Sequence, residues 1–182
     1  MSRESKRGLA FATLKNKGLV QEGAKLTDTV KYIVVDISGA GGIFPIMDSN
    51  TKKKVGVCNF DGNKLNVGRH LVIDGIKIEK ATAGSTPETA QFSGNTTLPP
   101  ELSNTEFRVK QGESVPIDIS TSDLNQRADS TYGIKYREFT TAPVLVANEE
   151  MEMYLHFPAS VAAPANTIIK VSFNCHQIKG DK

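Results

Sequence analysis

Two runs near the C-terminus set what this chain can fold into. In Met151-Glu152-Met153-Tyr154-Leu155-His156-Phe157 the odd positions are apolar and the even ones are Glu, Tyr and His. Beyond residues 158–166, a stretch with two prolines, Ile169, Val171, Phe173 and Cys175 alternate with Lys170, Ser172, Asn174 and His176. Successive side chains of a strand point to opposite faces, so each run reads as a strand that is apolar on one side. Two such strands must cover that side with another layer, and sheet packed on sheet is the expected architecture.

The rest of the chain supplies short strands of the same kind. Residues 30–37 are rich in β-branched side chains and read as the first of them. Further strands are expected at residues 55–60, 65–73, 76–79, 106–110, 115–120, 132–139 and 144–147. Asp61-Gly62 and Asp74-Gly75 read as turns between them. Pro116 has no N–H to give to a neighbour, which places its strand at an edge or a bulge. The glycine-rich residues 38–42 lack a Gly-Lys-Ser/Thr ending and a following helix pattern, so a flexible strand connection is expected there, not a phosphate cradle. Residues 82–104 are loop-like and too long for a hairpin, which suggests a functional or partner-facing loop, with a short helix near residues 99–102. Residues 122–130 read as a polar loop. About ten short strands with no sustained 3.6-residue period define an all-β sandwich, jelly roll or barrel.

Length and charge divide the chain. Its 182 residues suit one domain that buries a core without disulfides. Residues 1–17 hold Arg3, Lys6, Arg7, Lys15 and Lys17 against Glu4, a net of +4 within an overall +2, so the remainder sums to −2. Leu9, Phe11 and Leu14 interrupt this basic stretch. Residues 9–15 read either as one or two helical turns or as part of an extended arm. The expected division is a basic N-terminal arm over residues 1–25 and a β-sandwich over residues 26–182. An arm of this charge is a frayed terminus, or it binds an acidic partner or nucleic acid. Lys52-Lys53-Lys54 reads as a solvated edge that discourages strand pairing, and second as a nucleic-acid patch. No apolar run approaches the roughly 20 residues of a membrane helix, and the basic start is not followed by a signal-peptide core. A soluble product not secreted by that route is expected.

Motifs of chemistry are sparse. Cys58 and Cys175 read as small core residues, with a bridge between them left open. His176 follows Cys175 directly, so in a strand the two face opposite ways. His156 shares a face with Glu152 and Tyr154, a polar site or simply the wet face of a sheet. There is no Cys-x-x-Cys, His-x-His or Gly-x-Ser-x-Gly, which argues against a zinc centre and a nucleophile elbow. Carboxylate pairs are few, and sequence alone cannot set two of them across a glycosidic bond. The absence of Trp weighs against sugar stacking, although Tyr32, Tyr132, Tyr136 and Tyr154 remain available.

A basic arm, short strands, a proline-rich excursion and a long closing strand pair together resemble the single jelly-roll virion proteins, such as phage capsid proteins. The segments that carry the likeness are residues 98–102 (LPPEL), 106–113 (EFRVKQGE), 153–158 (MYLHFP) and 167–173 (TIIKVSF). The resemblance implies a two-sheet antiparallel sandwich, jelly-roll-like, with an extended N-terminal arm. It implies a non-enzymatic capsid shell or vertex component, made in the host cytoplasm, resident in the virion and without cofactors. Its partners would be copies of itself and other virion proteins. Arg3, Lys6, Arg7, Leu9, Phe11, Leu14, Lys15 and Lys17 form the candidate assembly arm, with weak non-specific nucleic-acid contact through its charge. The alternative is a β-sandwich that binds carbohydrate or a cell surface.

Overall fold

The computed structural model describes residues 3–20, 24–93, 96–125 and 135–179. Nine strands form two antiparallel sheets among them. In chain order they are β1 (Lys25–Asp36), β2 (Ile43–Met47), β3 (Arg69–Lys80), β4 (Glu106–Gln111), β5 (Ser114–Ser120), β6 (Arg137–Glu138), β7 (Val144–Leu145), β8 (Met151–His156) and β9 (Ile168–Lys179). The helices are α1 (Arg3–Asn16), α2 (Pro100–Ser103) and α3 (Thr121–Leu124).

The pairing is that of one long hairpin rolled over on itself. β4 and β5 lie at its tip, and β3 with β6 and β7, β2 with β8, and β1 with β9 follow as successive rungs. Rolling adds the pairings β3–β9 and β4–β8. The first sheet runs β1-β9-β3-β6, with β7 also on β3, and the second runs β2-β8-β4-β5. Counting β6 and β7 as one interrupted strand gives four strands a sheet and the strand order of a jelly roll.

The alternating apolar residues meet between the sheets as the sequence predicts. Met153, Leu155, Val171 and Phe173 are fully buried. Phe173 packs edge-on to Phe60 at 5.6 Å and lies 6.2 Å from Phe107, which joins both sheets to one aromatic cluster. A fully buried side chain of this size contributes roughly 1.5–3 kcal/mol relative to exposure. Both edges of the second sheet carry a proline, Pro45 in β2 and Pro116 in β5. A strand at an edge has an unused N–H side, so proline is tolerated there and discourages further pairing.

Several local expectations are corrected. Asp74-Gly75 is not a turn: β3 runs through it for 12 residues, with a register shift between Ile73 and Gly75 against β9. A Cβ on Gly75 would stand 2.8 Å from the Arg137 carbonyl oxygen, so the glycine admits β6 at close range. Residues 55–60 are no strand of the sheet. They form a turn that lies along the free edge of β1, where Val34 N–H donates to the Val57 carbonyl at 2.7 Å and Asn59 N–H to Tyr32 at 3.2 Å. The glycine-rich connection is tied rather than loose, with Gly39 and Ala163 N–H groups bonding across to residues 163 and 40. Within the loop expected over residues 122–130, Ser122 to Leu124 belong to α3, and 126–130 lie outside the described residues. Of the strand expected at residues 132–139, positions 132–134 lie outside them too, and β6 is what remains. The short helix after Pro99 is present as α2.

The N-terminal segment is a helix, not an extended arm. Ala10 and Leu14, four residues apart and so on one face, pack with Val72, Ile178, Ala142 and Val144 on the outer side of the first sheet. The helix stops by chain chemistry. Gly18 takes φ +67°, its N–H bonds the Lys15 carbonyl at 3.0 Å, and the Leu19 N–H bonds Leu14 at 3.0 Å. This is a Schellman stop, and Leu19 joins the same apolar cluster as Leu14, the contact such stops usually carry.

Candidate interaction site

The outer face of the second sheet is open, and strand alternation builds it. β8 turns Glu152, Tyr154 and His156 outward, as its sequence predicts, and β4 turns out Glu106, Arg108 and Lys110. Register sets Arg108 across from Tyr154 on one side and from Asp118 of β5 on the other. Arg108 Nη2 lies 3.0 Å from Asp118 and 3.3 Å from Glu106. The Tyr154 and His156 rings stand edge to face at 6.2 Å. Desolvation, helped by Glu152, pushes the Tyr154 phenol above its ordinary range. A depression of about 340 Å³ is lined by Arg108, Lys110, Glu152, Tyr154 and His156 with Ile43 and Val115, both exposed apolar side chains. Arg108 is held by Asp118 and Glu106, and the Tyr154 and His156 rings lie beside that paired charge.

On the opposite face of the molecule, His176 is buried at 4% exposure between two carboxylates. Its Nδ1 is 2.8 Å from Asp28 Oδ1 and its Nε2 is 2.8 Å from Asp74 Oδ2, the latter off the line of a hydrogen bond. Asp28 faces His176 directly from β1, and the bulge in β3 brings Asp74 to the other side. Each ring nitrogen meets a different carboxylate, so the cluster clasps β1, β9 and β3 together. Among the described residues no three His, Cys, Asp or Glu converge as a metal site. Sequence reading missed this clasp, because Asp28 and His176 are 148 residues apart.

The arm residues separate by face. Leu14 is buried, Leu9 and Phe11 are half-buried, and Lys15 and Lys17 are exposed. Arg3, Lys6 and Arg7 belong to α1, and their side chains lie outside the described residues. The lysine triplet is exposed as expected and locally neutralised: Lys53 pairs with Asp61 at 3.2 Å and Lys54 with Glu88. The hydrogen bond from Lys54 leads the causes that hold the Glu88 carboxyl at about 2.

Both cysteines are free and buried. Burial pushes the Cys58 thiol up and the Cys175 thiol up to about 12, so neither is an activated nucleophile. Lys31 points inward from β1, donates to the Asn59 carbonyl at 3.0 Å and lies over the Phe60 ring. Burial lowers its pKa, opposed by Asp61.

No protein family, curated protein or solved structure matches this chain.

Proposed function

We propose that this is a non-enzymatic structural protein of a virion, a shell or vertex component that assembles with copies of itself through α1 and its loops. The observation that carries the reading is the strand order. A hairpin rolled into β1-β9-β3-β6 over β2-β8-β4-β5 is the jelly roll, an architecture used by virus capsids, although fold alone assigns no function. The mode of α1 attachment supports it. The helix seats on a small apolar patch outside the main core, so it is a separable element. Its basic residues then meet acidic protein or, weakly and without sequence preference, packaged nucleic acid through phosphates. Such a protein would be made in the host cytoplasm and reside in the particle.

One observation favours a second reading, a module for carbohydrate or a cell surface. Tyr154 and His156 stand side by side on an uncovered sheet face, with Arg108 and Glu152 within the same depression. Jelly rolls also serve as lectin domains. Size-exclusion chromatography with light scattering separates the two. Assemblies of defined high mass support the shell reading, whereas a monomer that a glycan array retains, and that Tyr154→Ala releases, supports the module.

A further inference from the structure

His70, half-buried near the start of β3, holds a backbone amide of a distant segment. The Ala147 N–H donates to His70 Nδ1 at 3.1 Å. Nδ1 can accept only with its lone pair free, so the ring is the neutral imidazole with its proton on Nε2. Ala147 lies in residues 146–150, the connection from β7 to β8.

That connection is tied at several points. Gln111, buried at the end of β4, donates from Nε2 to the Val146 carbonyl at 2.9 Å and accepts the Val146 N–H on Oε1 at 2.7 Å. The Asn148 N–H bonds the Leu65 carbonyl at 2.9 Å, and the Met151 N–H bonds the Asn63 carbonyl at 2.8 Å. Asn148 itself takes φ +64°, a left-handed conformation that asparagine visits at some cost. Amide and carbonyl ties of this kind do not titrate near neutrality, whereas the tie to His70 does. Val146 and Glu149 also line a cleft of about 330 Å³ beside β5, so this connection forms part of its wall.

We propose that His70 is an acid-released latch on the β7–β8 connection: neutral, it holds the Ala147 amide, and protonated, it lets go and turns to the Glu149 carboxylate. A proton on Nδ1 sets two donors face to face, so protonation and the bond from Ala147 exclude each other. Glu149, two residues beyond Ala147, is the charged group that acts on the ring among the described residues. The other charged neighbours are turned away or engaged. Arg69 precedes His70 in β3 and so faces the other side of the sheet. β9 sets Ile178 across from His70, and His176, two residues along, is flanked by Asp28 and Asp74. Glu150 is paired with Lys64 at 3.2 Å. Burial lowers the His70 pKa from its ordinary 6.5, opposed by Glu149. The latch therefore contributes stability above pH 6.5 that fades as pH falls below it. The inference stands whether or not the chain builds a shell.

The test is NMR on the full chain from about pH 8 to about pH 5, the range in which histidine titrates. The His70 ring carbons report its protonation. Amide exchange, corrected for its intrinsic pH dependence, reports the Ala147 hydrogen bond. Ala147 should lose protection as the ring titrates, with one midpoint below 6.5 for both, while the amides of β9 keep theirs. His70→Asn keeps an acceptor near the place of Nδ1 and does not titrate in this range, so its Ala147 protection should not change with pH. Glu149→Gln removes the waiting partner, so the ring midpoint should move to lower pH. Ala147 protection that survives the wild-type ring titration overturns the latch. So does a His70→Asn protein that loses protection as the wild type does, or a midpoint that Glu149→Gln leaves unmoved.

Discussion

Phe173 shows how much one position carries, since it touches Phe60 from a loop and Phe107 from the facing sheet. Phe173→Ala should cost about 3–5 kcal/mol in urea melts. A cost below about 1 kcal/mol would mean that the intersheet cluster is wrongly drawn. His176 acts on the outer side of the same strand. His176→Leu removes the ring that lies 2.8 Å from both Asp28 and Asp74 and should cost about 1–3 kcal/mol, as when a buried hydrogen-bonding group is lost. A variant that melts with the wild type would refute the clasp. Glu88 titrates far from both. Its folded pKa, about 2, lies below the ordinary 4.5, so its contribution is present above pH 4.5 and fades as pH falls toward 2. Carbon-detected NMR titration should find that low midpoint, and Lys54→Ala should return it toward 4.5.

At the scale of elements, α1 depends on how it ends. Nothing lies within 4 Å of a Cβ placed on Gly18, so Gly18→Ala is a test of backbone conformation alone. A left-handed non-glycine residue costs about 1–2 kcal/mol. Hydrogen exchange should therefore quicken in α1 and stay unchanged in β3 and β9. Equal loss of protection throughout would show that the helix is not a separate unit. This stop is legible as Lys17-Gly18-Leu19 after an apolar pair four residues apart, Ala10 and Leu14. β8 and β9 were legible because one face of each is buried, and burial imposes strict alternation. Pro116 betrayed an edge because it lacks a donor. Asp74-Gly75 misled because the sequence shows turn chemistry, whereas the need for glycine comes from the Arg137 carbonyl, 62 positions away. The outward face of Glu152, Tyr154 and His156 was readable within one strand. The clasp was not, because it is assembled from segments that only the rolled hairpin brings together.

For the molecule as a whole, the two sheets leave distinct surfaces: one face capped by α1, one open, and two lateral edges. A monomeric binding module needs only the open face. A shell subunit needs the edges, since lateral neighbours meet there. Electron microscopy of the purified full chain, over a range of concentration at physiological salt, bears on this most directly. The shell reading predicts particles of uniform size built from many copies, with neighbouring sandwiches joined edge to edge. Isolated molecules at every concentration, or contacts made only through the open face of the second sheet, would contradict it.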